Sequence, residues 1–332
     1  MATLQVARKA VTKLVSRGLG PREFASNAAS ALRRFVPYEG ACLLTLDPAT
    51  LLPTGEYVEN GLPPSTRTRL LEIELLDHDV NKFAALARTT STARAASLSA
   101  ATQGDLDRSL RHREVRKRYG LDDELRAMLV DGSGTWGALT LMRTQGQPRF
   151  TKAEVDLVAT LAGDLAQGLQ RAARTNAPHD DSVGVLTVTR DGTKANHAAK
   201  RWLDELSPVA VDSVVYQARS TGDAYARART EQGTWLALRA TQHDHAVTVT
   251  IQPAQANELA PLIADAYGLT ARERAITELI AQGHATNEIA TQLHLSPYTV
   301  QDHLKVIFDK TSTKTRGELV ARIFFEHYAP RL

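Results

Sequence analysis

Residues 268–328 read GLTARERAITELIAQGHATNEIATQLHLSPYTVQDHLKVIFDKTSTKTRGELVARIFFEHY, and their start and stop signals divide them into four helices. The first opens with a Thr270 capping box and closes at Gly283. The second spans about 286–293, and a three-residue turn follows it. The third begins at Ser296-Pro297, an N-cap followed by proline at the first helical position, and continues to about Lys310. A further capping box, Thr315 with Glu318, opens the fourth.

The third helix has two chemically different sides. At 100° per residue an apolar side forms, consisting of Val300, Leu304, Ile307 and Thr311. The opposite side carries Tyr298, Gln301, Asp302 and Lys305. In a helix-turn-helix motif, two short helices are joined by a tight turn, and the second helix presents a polar surface to the solvent. This arrangement places the second helix in the major groove of DNA. The residues therefore predict an all-α helix-turn-helix domain at 265–332.

This segment resembles the LuxR-type helix-turn-helix family through matches at Leu269, Thr270, Arg272, Glu273, Gly283, Asn287, Glu288, Ile289, Ala290, Leu293, Ser296, Thr299, Val300, His303, Lys310 and Arg316. The resemblance implies base reading by Gln301, Asp302 and Lys305, and backbone contacts by Lys310 and Lys314. The full set predicted to contact double-stranded DNA is Tyr298, Thr299, Val300, Gln301, Asp302, His303, Lys305, Lys310, Lys314 and Arg316.

The charge of this domain predicts binding as a homodimer. Residues 268–332 contain eight Lys and Arg against seven Asp and Glu. Because phosphate neutralisation supplies much of DNA affinity, so weakly basic a unit should bind poorly alone. The fourth helix carries more apolar residues than one core needs, Phe325 among them, and offers a pairing surface. RNA polymerase is a further candidate partner.

The N-terminal part is predicted to hold a helix at 1–20 and an α+β domain at 21–175. A helix at about 22–35 leads into a strand at 41–46. Strands 125–130 and 136–142 flank the turn Asp131-Gly132-Ser133-Gly134. A helix from Lys152 to about Arg171 closes the segment behind a Thr151–Glu154 capping box. This order resembles a GAF domain and implies a small-molecule sensor.

The middle part, 182–255, is predicted to be a small α+β segment. Strand 183–189, a turn at Asp191-Gly192 and a helix start near Asn196 resemble the opening of a PAS domain. Strands 235–239 and 246–251 would complete its sheet. Seams are placed at 175–181 and near 253–261. The chain is thus predicted to be multidomain: a GAF-like sensor, a PAS-like segment and a four-helix DNA-binding domain.

Composition sets outer limits on function. Apolar residues make up 43% and charged residues 23% of 332, a globular balance, and the net charge of +3 permits nucleic-acid binding without requiring it. The single cysteine excludes an intrachain disulfide and suits a reducing cytoplasm. The first 19 residues lack an apolar run long enough for a signal or membrane span. We expect a cytoplasmic protein without cofactor, bound metal or membrane contact.

Three features outside the DNA-binding domain have competing interpretations. The basic run 108–118 is interpreted as a solvated helix face, with a second DNA contact or an anionic-ligand site as alternatives. For His78, His112 and His197 a structural role is favoured over haem or metal ligation, because no companion ligands accompany them. Cys42 is interpreted as a small buried hydrophobe rather than a redox sensor.

The remaining function classes are disfavoured by missing motifs. Catalysis would call for a nucleophile elbow, a phosphate loop or a zinc motif, none of which occurs. A phosphorylated receiver domain would call for an acidic pair, but the first strand ends in a lone Asp47. An acyl-homoserine-lactone receptor has a shorter sensor region. The leading hypothesis is a one-component regulator controlled by an unidentified small molecule. The alternative is output of a protein–protein or redox signal, with N-terminal domains that only dimerise.

Overall fold

The computed structural model describes residues 2–89, 94–174, 182–281 and 283–320. The first region is built from seven helices and five strands: α1 (Ala2–Val15), α2 (Pro21–Arg33), β1 (Gly40–Leu46), β2 (Pro53–Glu59), α3 (Arg67–Leu75), α4 (Phe83–Ala87), β3 (Ala95–Ser97), α5 (Leu98–Ala101), α6 (Leu110–Glu114), β4 (Leu121–Val130), β5 (Thr135–Thr144) and α7 (Lys152–Ala172). Short 3-10 turns occupy Pro64–Thr66, Leu106–Arg108 and Arg116–Tyr119.

The five strands form one antiparallel sheet in the order β2-β1-β5-β4-β3. One face packs on α2 and α7 through a core that includes Phe24, Leu43, Leu125, Leu139 and Leu161, and α1 packs on those two helices. The predicted hairpin is present, and the Asp131 amide donates to the Gly134 carbonyl across its turn (3.0 Å). The capping box predicted at Thr151 and Glu154 is also confirmed.

The second region contains β6 (Gly184–Val188), β7 (Thr193–Ala195), α8 (His197–Glu205), α9 (Pro208–Thr221), β8 (Asp223–Arg229), β9 (Trp235–His243), β10 (Ala246–Pro253) and α10 (Ala256–Ala266). Its sheet, in the order β7-β6-β10-β9-β8, repeats the strand order of the first sheet. The predicted strands at 183–189, 235–239 and 246–251 correspond to β6, β9 and β10. The seam expected at 175–181 lies outside the described residues, and the limits of both N-terminal domains stay predictions.

The seam expected near 253–261 is largely a helix, which corrects the sequence interpretation. In α10 the Glu258 carboxylate accepts the Gln255 amide (2.6 Å) and caps the first turn. Leu259, Leu262 and Ile263 are all buried in the main core. This packing holds the segment helical even though Pro261 lies inside it.

The C-terminal region contains α11 (Ala271–Ala281), α12 (Thr286–Gln292) and α13 (Pro297–Thr311), and residues 316–320 are again helical. Ile276, Ile289, Val300 and Ile307 form its core and are fully buried. The rest of the predicted fourth helix, with Phe325 and the proposed pairing surface, lies outside the described residues. No helix within the described ranges is long and apolar enough to cross a membrane.

Candidate nucleic-acid interface and ligand cavity

The start of α13 is fixed by its own sequence. Ser296 accepts a hydrogen bond from the Thr299 amide at 3.0 Å, and Pro297 occupies the first helical turn. His294 adopts a left-handed φ of 53° in the turn from α12. The Leu295 amide donates back to the Ala290 carbonyl at 2.8 Å. These contacts hold α12 and α13 in one rigid pair, as the helix-turn-helix prediction required.

The two predicted sides of α13 are present. Val300, Leu304, Ile307 and Thr311 are all buried. Tyr298 is 72% exposed, and Gln301, Asp302 and Lys305 are also exposed. The structure therefore brings these four polar side chains together on one solvent-facing surface, which we call the α13 face.

Other members of the predicted contact set lie elsewhere. Thr299 and His303 are half-buried beside the α13 face. Val300 has no exposed surface, so its side chain packs inside the domain and cannot reach DNA there. This corrects its inclusion among the contact residues: a side chain on the apolar side of a helix cannot also present itself to a groove.

An ion pair occupies the middle of the α13 face. Lys305 donates to Asp302 at 3.1 Å, across one helical turn, and both side chains are at least half exposed. The hydrogen bond and the charge of Asp302 raise the pKa of Lys305 above its ordinary value. Lys305 is therefore fully cationic at neutral pH. Its ammonium group is already paired with the Asp302 carboxylate, however, so the two charges largely offset each other on the α13 face.

Lys310 and Arg316 are engaged inside the domain. The Lys310 ammonium donates to the Glu273 carboxylate (2.6 Å) and to the Gly268 carbonyl (2.8 Å), tying α13 to the capped start of α11. Arg316 donates to the His284 carbonyl (3.0 Å) and to Thr286 Oγ1 (2.8 Å). Sequence reasoning missed these structural roles, because their partners are 30 or more residues away. Lys314, in contrast, is exposed.

An open cavity of about 1700 Å³ is lined mainly by the sheet face of the first region that α7 does not cover, and it also reaches Leu43, Trp136 and Leu169 on the α7 side. The register places Cys42 opposite Thr140, and Thr140 opposite Arg126, so this face is polar along one row of neighbouring strands. Apolar residues complete the wall: Leu44, Leu46, Phe83, Met128 and Met142. The cavity extends toward the second region, where Leu206 and Tyr225 line it.

The basic run 108–118 is not simply a solvated face, and that interpretation was wrong for its central residues. Arg111 and Arg116 are buried at 3% and 6% exposure, and both line the cavity. They share the Glu124 carboxylate, and Arg111 also pairs with Asp79 at 2.7 Å. Burial alone would raise the pKa of Glu124, but the surrounding arginine charges outweigh it and lower this pKa to about 2.

The histidines and the cysteine lie in different surroundings, and Cys42 is only partly buried, unlike the buried hydrophobe expected from the sequence. His112 is 4% exposed and burial lowers its pKa, whereas His197 is exposed at the start of α8. His78 lies in the cavity wall. Within the described ranges, no three His, Cys, Asp or Glu side chains gather as a metal site requires. Burial raises the pKa of the Cys42 thiol to about 12, so the reactive thiolate is scarce at neutral pH.

Two family models match the chain. Residues 268–323 match the family described as bacterial regulatory proteins, luxR family, and residues 20–169 match the GAF domain. These ranges contain the α13 face and most of the cavity wall respectively.

Curated relatives are similar over the C-terminal region. The spore germination protein GerE of Bacillus subtilis is 38% identical over 55 residues, which cover 17% of this chain and 74% of GerE. The transcriptional regulatory protein UhpA of Escherichia coli is 45% identical over 56 residues, covering 17% of this chain and 29% of UhpA. The chain thus spans less than a third of the length of UhpA.

Solved structures are similar at low identity. SdiA of Escherichia coli is 12% identical with a TM-score of 0.35, and 96% of each chain is covered. A GAF domain/HD domain protein from Geobacter sulfurreducens is 18% identical with a TM-score of 0.33, covering 48% of this chain and 97% of that one.

Proposed function

Because the chain belongs to the luxR family of bacterial regulatory proteins, we propose that it is a transcription regulator that binds duplex DNA through the α13 face. The observation that carries this proposal is the exposed cluster of Tyr298, Gln301, Asp302 and Lys305 on a helix whose opposite side is buried. Such a helix fits the major groove, where these side chains can donate to and accept from base edges. The activity belongs in the cytoplasm, where the DNA lies.

We propose further that the regulator is one-component and works as a homodimer on a two-fold symmetric site. The C-terminal region has nearly balanced charge, and the Asp302–Lys305 pair lowers the attraction of the α13 face for phosphate. Two units on one duplex would add their contacts through a high effective concentration.

The cavity of the GAF domain supports control by a small molecule over control by dimerisation alone. The cavity, which α3 and α4 line in part, has more volume than a ligand of ordinary metabolite size needs. A redox signal through Cys42 is disfavoured because its thiol stays protonated at neutral pH.

The test is binding of the full-length protein to its own upstream DNA, measured by fluorescence anisotropy with an operator duplex and a scrambled duplex. Lys305→Ala should weaken operator binding about 5- to 150-fold and reduce the preference for operator over scrambled DNA. Lys152→Ala is the matched control, since Lys152 also pairs with an aspartate one turn away (2.6 Å) but lies on α7. Equal losses from both variants, or no preference in the unmodified protein, would contradict the proposal.

A further inference from the structure

Among the arginines that line the GAF cavity, three have hydrogen-bonding capacity that the described residues do not fill. Arg67 from α3, Arg116 from the 3-10 turn before β4, and Arg126 from β4 each pair with one carboxylate, at 2.5, 2.6 and 2.8 Å respectively. Each also has a buried guanidinium nitrogen without a hydrogen-bond partner among the described residues. Leaving a buried charged donor unpaired is costly, so such a cluster needs a reason.

Arg116 is the least compensated of the three. Its carboxylate partner, Glu124, is shared with Arg111, whereas Arg111 has Asp79 and the Val80 carbonyl as well. Two of the Arg116 nitrogens, Nε and Nη1, have no partner in the described parts of the chain. Burial, together with the neighbouring charges of Arg111 and Arg126, lowers the pKa of Arg116. The Arg116 side chain is therefore a buried cation whose one carboxylate partner also pairs with a second arginine.

Arg126 is held in place beside it. Its guanidinium lies 3.5 Å from the ring centroid of Phe83 and donates to the Asn81 carbonyl at 2.8 Å. Both Arg116 and Arg126 act electrostatically on Cys42, which lies in the cavity wall between them and β2. Both guanidinium groups thus lie in the wall of a cavity that also contains apolar side chains and the carboxylates of Glu56 and Glu74.

We propose that this cavity binds a small organic anion whose carboxylate or phosphate group is taken by Arg116 and Arg126 and whose apolar body lies against Met128, Leu44 and Phe83. This inference rests on the proposed ligand control and specifies the chemical class of its ligand. A guanidinium group suits both anions, because it stays charged and its planar fork of donors matches their oxygens. Glu124 already holds Nη2 of Arg116, and Asn81 and Glu74 hold both Nη atoms of Arg126, so each arginine contributes single hydrogen bonds rather than a bidentate pair. Because Nε and Nη1 of Arg116 have almost no exposed surface, the Arg116 side chain has to turn toward the cavity before an anion can supply the partners they lack.

The alternative is that Arg116 only stabilises the fold, and Arg143 provides the matched control. Both side chains are buried to the same extent, with 6% exposure. Arg143 is fully satisfied by the Pro37 and Pro148 carbonyls and by Glu154, with distances from 2.6 to 3.0 Å for its shortest contacts. In the ligand-free full chain, Arg143→Met should lower the Tm by roughly 6 °C or more. Arg116→Met should change the Tm by less than about 2 °C, since Glu124 keeps Arg111.

Ligand class is tested on the full chain by calorimetric titration with hexanoate, hexyl phosphate and the neutral hexanamide. At least one of the two anions should bind at least about tenfold more tightly than hexanamide, and the stronger of them identifies the source as carboxylate or phosphate. Arg116→Met should remove that preference, and Arg116→Lys should restore it only in part because it lacks the fork. Hexanamide binding as tightly as both anions, binding of neither anion, or a Tm loss in Arg116→Met equal to that of Arg143→Met would each overturn the inference. If an anion binds but DNA affinity does not change, the inferred anion site stands and the proposed ligand control of DNA binding is contradicted.

Discussion

Replacing Asp302 by asparagine should strengthen non-specific DNA binding and steepen its dependence on salt. The substitution keeps the size of the side chain but removes the carboxylate that holds Lys305 at 3.1 Å. The freed ammonium can then meet a phosphate. Each additional phosphate contact adds about 0.9 to the slope of log K against log salt concentration. Per chain, the affinity advantage of the variant should therefore shrink roughly 3.5-fold between 50 and 200 mM salt.

The same measurement reports how many chains contact one duplex. If two chains bind, both lose the carboxylate, and the change in slope doubles to about 1.8. The advantage of Asp302→Asn then shrinks roughly 12-fold over the same range of salt. Operator preference should fall, because an aspartate accepts from a cytosine amino group whereas an asparagine pairs with adenine.

The assay is fluorescence anisotropy of operator and scrambled duplexes at several salt concentrations. Asp156→Asn is the control, since Asp156 also pairs with a lysine one turn away (2.6 Å) on an exposed helix, but outside the α13 face. An unchanged slope for Asp302→Asn, or the same change for both variants, would refute the assignment of the α13 face to DNA.

Two further predictions concern the fold that carries these sites. A Cβ added at Gly168 of α7 would lie 1.9 Å from the buried Phe24 ring, whereas one added at Gly163 of the same helix meets nothing closer than 3.7 Å. Gly163→Ala should therefore raise the free energy of unfolding by ~0.5–1 kcal/mol. Gly168→Ala should lower the free energy of unfolding despite the same gain in helix propensity, because overpacking costs ~1–3 kcal/mol. A Tm for Gly168→Ala that is no lower than the Tm of Gly163→Ala would contradict this prediction. Asp47→Asn should lower the free energy of unfolding, measured by urea titration, by ~3–5 kcal/mol. The substitution leaves Arg227, which lies 2.7 Å away and is 4% exposed, as an uncompensated buried charge. A loss below ~1 kcal/mol would show that the pair contributes little.

Sequence patterns predicted the elements whose signals are local. The hairpin of β4 and β5, the capped helix α7 and the two sides of α13 all depend on residues within about two turns of each other. Missed elements carry no such signal. The helix α9 is buried around much of its circumference, from Val209 to Ala218, so its apolar residues show no single stripe. The helix α10 contains Pro261, a residue that favours a linker when only local sequence is considered.

Long-range pairs account for the rest of the difference. Asp47 looks like a lone acid in the sequence because its partner, Arg227, follows 180 residues later. The buried arginines of the run 108–118 likewise depend on Glu124 and Asp79, which reach them only through the packing of β4 and the loop after α3. Charge patterns along the chain cannot distinguish such residues from a solvated face, because burial is a property of the tertiary fold.

The placement of α10 connects the cavity to the DNA-binding region by direct contacts. Arg227, held by Asp47 at the end of β1, donates to the Glu258 carbonyl of α10 at 2.7 Å. At the other end of α10 the Asp265 carbonyl accepts from Gln170 of α7 (2.9 Å), and the Asp265 carboxylate pairs with Arg274 of α11 (2.8 Å). Because β1 also carries part of the cavity wall, a displacement of its end by a bound ligand would reach α10 through one buried ion pair. For a ligand in the cavity to change DNA binding, α10 and α11 must have two relative arrangements, and the ligand must bind one of them more tightly than the other.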